Sequence, residues 1–193
     1  QIIIQMLFGK KKEKEQRGAG DGRGGKESRQ MAIAIYEKKI VVTEASIDIL
    51  GHVNNREYLR WMEEVAIEHS AALGWPQERY MAEQHVWVAR EHWIEYLRPA
   101  LLRDHLSVYT WLQETAGPIC LRRYAVVRGR TVLTRAATEW AHIDFKTKRA
   151  VMPPDNLIND FPVVPADSPE LKALGLARPV RWLPVSLSER AGN

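Results

Sequence analysis

A single cysteine, Cys120, stands among the 193 residues, which excludes an intramolecular disulfide and fits a reducing compartment; the cytoplasm is the expected location. Long hydrophobic runs are lacking as well. The apolar stretch at residues 2–8 falls far short of the roughly eighteen residues that a membrane-spanning helix requires, so no membrane span is expected. Its basic neighbours, Lys10, Lys11 and Lys12, follow the stretch instead of preceding it, the reverse of a secretory signal, and the acids in the same segment argue against a mitochondrial presequence. The six histidines, at 52, 69, 85, 92, 105 and 142, show no ligand spacing with cysteine or carboxylates, so no metal is expected and no cofactor is called for. A charge excess is missing from the body of the chain too. The formal +4 is carried by residues 1–30, with eight Lys/Arg against four Asp/Glu, while from Met31 onward the two signs balance. Nothing in that balance favours a nucleic acid as partner.

What remains is a chain able to fold as one domain: 45% of its residues are apolar and seven are Trp. Residues 9–30 hold no large hydrophobe and are rich in glycine, so residues 1–30 are expected to be a disordered basic leader. From Met31 the β-rich run of Ile33, Ile35, Ile40, Val41 and Val42 predicts a first strand. Residues 54–73 read as one long helix, with Tyr58, Met62, Val65, His69 and Ala72 at three- and four-residue steps and Arg56, Arg60, Glu63, Glu64 and Glu68 opposite. Asn54 or Asn55 caps its start and Gly74 marks its end.

Four strand-like segments follow, at 85–97, 105–114, 119–128 and 131–145, separated by proline, glycine and lysine turns. In the first of these, strict alternation would put Val86, Val88, Arg90, His92, Ile94 and Tyr96 on one face. Strand, long helix and four hairpin-linked strands imply an α+β fold on an antiparallel sheet, within a domain at residues 31–152. Seven of the ten prolines lie after Met152, so residues 153–193 are expected to be a Pro-rich extension. It holds one short helix, capped by Ser168, opened by Pro169 and stopped by Gly175, and is expected to pack through Phe161 and Trp182.

The loop between first strand and helix collects the chemistry. Asp48, Gly51, His52, Asn54, Asn55 and Tyr58 place a carboxylate, an imidazole and two carboxamides beside a helix N-terminus, whose free N–H groups can receive developing negative charge. One by one such residues are caps, turn formers and surface groups. Together, Asp48-x-x-Gly51-His52-Val53-Asn54-Asn55-x-x-Tyr58, with Tyr96-Leu97-Arg98-Pro99-Ala100, resembles the hot-dog-fold acyl-CoA thioesterases of the 4-hydroxybenzoyl-CoA thioesterase type over about residues 33–150.

The resemblance implies a five- or six-stranded antiparallel sheet wrapped around one long helix, in homodimers or homotetramers with active sites at the interface. It implies Asp48 as general base or nucleophile, Asn55 as the backbone donor that polarises the thioester carbonyl, and His52 as a third catalytic group. Gly51, Asn54 and Tyr58 are then substrate-binding residues. The acidic residue common two positions before Asp48 is here Ser46, and Leu50 interrupts the Asp/Asn/His triad of the plant acyl-carrier-protein enzymes.

The expected substrate is an acyl-CoA, cleaved to CoA and a carboxylic acid. The alternatives are an acyl-carrier-protein thioester, a non-catalytic acyl-thioester-binding module, or a hydratase; Leu50 and Val53 fill the Asn and His places of the hydratase motif D-x-N-P-x-H. Arg122 with Arg123, or Lys146, Lys148 and Arg149, are candidates for the CoA phosphates, with solvated basic clusters as the plainer reading. His69 reads as a core histidine, Cys120 as a buried inert thiol, and Arg90 with His92 as a strand face that is either solvated or lines the substrate channel.

Overall fold

The computed structural model describes residues 33–177. The predicted leader and Trp182 lie outside those residues. Strand β1 (Ile35–Val41) leads through a 3-10 turn at Glu44–Ser46 into helix α1 (Asn55–Ala72). A second helix, α2 (Gln77–Glu83), precedes β2 (His85–Tyr96), β3 (His105–Ala116), β4 (Ile119–Arg128) and β5 (Thr131–Asp144). Two short helices follow, α3 (Asp155–Asp160) and α4 (Pro169–Ala173). The five strands form one antiparallel sheet in the order β1-β3-β4-β5-β2, wrapped around α1 as the hot-dog fold requires.

Tyr58, Trp61, Met62, Val65, Ala66 and His69 are the buried stripe of α1, and they meet Val108, Tyr124, Val126, Ala136 and Trp140 of the sheet. Ala72, expected on that stripe, is exposed and Leu73 takes its place. The opposite face of the sheet is covered near β1, β3 and β4 by the chain after Phe161, where Leu171 of α4 packs with Trp111, Ala125 and Val127. That segment reaches the sheet through a single parallel bridge from Val163 to Leu112. Val164 donates its N–H to the Leu112 carbonyl (2.8 Å), where a bulge between Leu112 and Glu114 interrupts the ladder to β4.

Another bulge corrects the alternation expected for β2. The register to β5 shifts between Ala89 and Glu91, leaving Arg90 as the extra residue. Trp87 and Ala89, not Val86 and Val88, therefore join Ile94 against the helix-side core. Two helices, α2 and α3, were not anticipated from the sequence, in which the C-terminal extension shows only the helix that begins at Pro169; Arg79 ties α2 down through Glu83 (2.8 Å), the Gly74 carbonyl (3.0 Å) and the face of Trp75 (3.5 Å).

Candidate active site

Residues 47–53 form a small hairpin between the 3-10 turn and α1. Ile47 and Val53 bridge, Asp48 donates its N–H to the His52 carbonyl (2.8 Å), and Gly51 donates to the Asp48 carbonyl (3.0 Å). The Asp48 carboxylate accepts the N–H of Leu50 (2.8 Å) and of His52 (3.4 Å), the turn geometry for which aspartate is suited. Gly51 sits at φ +78°, a backbone region that a side chain makes costly. Val53 N–H to the Ala100 carbonyl (2.9 Å) and Asn54 N–H to the Ser46 carbonyl (2.9 Å) anchor the hairpin. The Ser46 hydroxyl turns to Glu57 (3.2 Å), so backbone donors alone orient the Asp48 carboxylate.

Asn54 caps α1: its side chain accepts the Arg56 N–H (3.0 Å) and its carbonyl accepts that of Glu57 (2.9 Å). The N–H of Asn55, the first residue of the helix, has no acceptor among the described residues, which leaves a free donor at the positive end of an 18-residue helix. Tyr58 is 2% exposed, and its hydroxyl accepts the Ala100 N–H (3.2 Å). It thereby joins the helix to the Tyr96-Leu97-Arg98-Pro99-Ala100 segment. The His52 imidazole is exposed, without a hydrogen-bond partner among the described residues. The structure thus gathers Asp48, Gly51, His52, Asn54 and Asn55 on one hairpin and helix start, and sets Tyr58 beneath them in the core.

A cavity of about 730 Å³ opens elsewhere along the helix. Glu63, Ala66, Ile67 and Ser70 line it, an i, i+3, i+4, i+7 stripe, and none of the six sequence-predicted residues does. Trp87, Arg90 and His92 of β2 and Met152, Leu157 and Phe161 of the C-terminal segment complete the lining. Arg90 and His92, both exposed, stand on a solvated stretch of β2 and also line this cavity. Arg90 pairs with Glu139 (2.8 Å), and His92 meets Thr138 Oγ1 (2.8 Å) through Nδ1. Burial, reinforced by the charge of Glu64, raises the pKa of Glu63, making it a second carboxylate of interest. The sequence signal for it was its place on the same helical stripe as Ala66 and Ser70.

Arg122 and Arg123 do not form a surface phosphate site. They lie mid-strand and are 5% and 2% exposed. Lys146, Lys148 and Arg149 remain at the surface, with Lys148 at the cavity edge, over the Phe145 ring (3.8 Å). Cys120 is buried, and burial pushes its thiol up to about 12, which makes it a poor nucleophile. No group of metal-binding side chains occurs among the described residues, and no described helix is long and apolar enough to cross a membrane.

Residues 34–161, about two thirds of the chain, match the family profile described as the acyl-ACP thioesterase N-terminal domain. The chain belongs to that family. It is a thioester hydrolase of the hot-dog fold. Over 121 residues this thioesterase is 29% identical to the long-chain acyl-CoA thioesterase FadM of Escherichia coli, a match covering 60% of this chain and 88% of that protein. Among solved structures, the probable thioesterase YbaW of Escherichia coli is similar at TM-score 0.57 and 27% identity, covering 64% of this chain and 94% of the other. An acyl-ACP thioesterase from Bacteroides thetaiotaomicron shares the fold at TM-score 0.61 and 18% identity, covering 67% of this chain and 54% of its own.

Proposed function

We propose that this thioesterase hydrolyses acyl-CoA, with Asp48 as general base or nucleophile and the N-terminus of α1 at Asn55 as the oxyanion site. The observation that carries the reading is the pairing of a backbone-oriented Asp48 carboxylate with the unengaged Asn55 N–H on one hairpin and helix start. A thiolate leaving group, with a pKa near the 8.5 or so of cysteine, needs little acid assistance, so an activated water and a held oxyanion suffice for the chemistry. Asp48 supplies the first and the helix end the second. His52, exposed beside them, and the neighbouring Gly51 and Asn54 bound the space where the thioester docks. The D-x-x-G-H-V-N-N run is what favours the 4-hydroxybenzoyl-CoA type within the fold, and FadM, a long-chain acyl-CoA thioesterase, favours CoA as the carrier.

The assembly we infer is a homodimer or homotetramer in which a second copy completes the site. β2 is an edge strand of 12 residues, and Ile49 and Leu50 beside Asp48 are 100% and 74% exposed, a costly arrangement unless covered. Light scattering of the purified chain should give a multiple of the monomer mass.

Glu63 supports a second reading of the base, because it lines the cavity and Asp48 does not. Thiol release from one acyl chain presented on CoA and on an acyl-carrier protein tests the function directly. Turnover of the CoA ester with poor use of the carrier-protein ester supports the proposal. The opposite preference assigns the carrier-protein substrate, and release from neither leaves a binding module.

A further inference from the structure

Arg122 is 5% exposed and lines the inner wall of the cavity beside Cys120 and Trp140. Its Nη1 donates to His69 Nδ1 (2.9 Å) and to Thr110 Oγ1 (3.3 Å), and no carboxylate lies within ion-pair distance of it among the described residues. His69 adds no negative charge. Its Nε2 lies 2.6 Å from the Ile33 carbonyl and so carries the proton, leaving Nδ1 as a neutral acceptor. Arg60, Arg79 and Arg128 are all more exposed than Arg122, yet each meets a carboxylate.

A buried guanidinium facing an apolar cavity without a counter-charge is a costly arrangement that a ligand can relieve. Two further polar groups of the cavity lining, the Tyr80 hydroxyl and Trp140 Nε1, are buried without a well-formed hydrogen bond; Ser70 and Trp87 are the polar neighbours of the first and the Tyr124 hydroxyl that of the second. Glu63 is the one carboxylate of the lining, and it forms no ion pair with Arg122, so the guanidinium is left without a counter-charge among the described residues.

Resting on the thioesterase reading, we propose that this is a subsite for the distal end of the acyl group, and that this end bears a carboxylate. The substrate class is then the mono-CoA thioester of an α,ω-dicarboxylic acid. Its distal carboxylate would accept from the free edge of the Arg122 guanidinium, with Tyr80 and Trp140 as neutral donors. Thr110 and His69 act as positioning residues that hold the guanidinium by Nη1. Between Asn55 and His69 α1 rises about 21 Å, so a long chain is needed to join the reacting carbonyl to this end.

The test compares thiol release from alkanoyl-CoAs with release from the dicarboxylyl mono-CoA esters of the same chain length, on the purified full chain. The expected result is a kcat/KM about 10- to 100-fold higher for the long dicarboxylyl esters, the range for a charge-assisted hydrogen bond. Arg122→Met should reverse that preference while methyl-terminated esters are still cleaved. Arg122→Lys should retain part of it. Equal or poorer use of the dicarboxylyl esters by the native protein overturns the subsite and leaves the thioesterase reading standing, whether or not the variants fold. If no ester is cleaved, the thioesterase reading fails instead. Thermal shift with free dicarboxylates then judges the subsite: stabilisation greater than that by matched monocarboxylates, and lost in Arg122→Lys, supports it, and equal stabilisation overturns it.

Discussion

The Tyr58 hydroxyl accepts the Ala100 backbone N–H at 3.2 Å in the core, and the Ala100 carbonyl in turn accepts the Val53 N–H at 2.9 Å. One tyrosine therefore steadies the base of the hairpin that presents Asp48. Tyr58→Phe keeps the ring, with its edge contacts to Trp61 and Tyr96, and removes the hydroxyl that meets the Ala100 N–H and the Thr134 side chain. It should cost about 1–3 kcal/mol, the range for an orphaned buried donor. A thermal melt should show a drop of several degrees, with kcat lowered more than KM is raised.

Glu63 separates the two readings of the base. With Asp48 as base, Glu63→Gln should leave turnover within a few fold, and removing a carboxyl whose pKa is raised by burial should stabilise the fold slightly above neutral pH. Kinetics of the variant against the native protein check both. Loss of turnover with Asp48 intact would move the role to Glu63.

Acid should destabilise the fold through His69. Burial, aided by the Arg122 charge, lowers its pKa from 6.5 to about 3. A depressed histidine contributes its full stability above the unfolded value of 6.5 and loses it progressively as pH falls toward 3. The loss across that window is several kcal/mol as an order of magnitude. His92 and His142, also lowered by burial, act in the same direction. Melting temperatures between neutral pH and pH 4 should fall steeply for the native protein and less steeply for His69→Gln.

The strand-helix-strand order and the start and stop of α1 were legible because period, cap and glycine agreed at Asn54 and Gly74. The bulge at Arg90 was not, since one extra residue reverses every later side chain without altering composition. Nor was the burial of Arg122 read from the sequence, although Cys120, Tyr124 and Val126 share its face of β4; a lone arginine among apolar alternates looks like a surface residue until the strand is found in mid-sheet. The hairpin at Asp48 was legible as a motif, whereas the cavity was not, because tertiary contacts from helix, edge strand and C-terminal segment create it.

Gly51 offers a milder check of the hairpin. At φ +78° with nothing within 4 Å of an added Cβ, Gly51→Ala meets no clash and pays only in backbone strain. The expected penalty is about 1 kcal/mol. Activity should fall more than stability, because the strain falls on the turn that carries the Leu50 and His52 donors to Asp48.

The most direct measurement is steady-state thiol release from an acyl-CoA by Asp48→Asn beside the native protein, with acyl-CoA affinity determined for both. Asparagine can still accept the Leu50 N–H, so the hairpin is kept while the base is lost. The account predicts turnover reduced by about 10²-fold or more, with affinity within a few fold of native. Undiminished turnover by Asp48→Asn would contradict it.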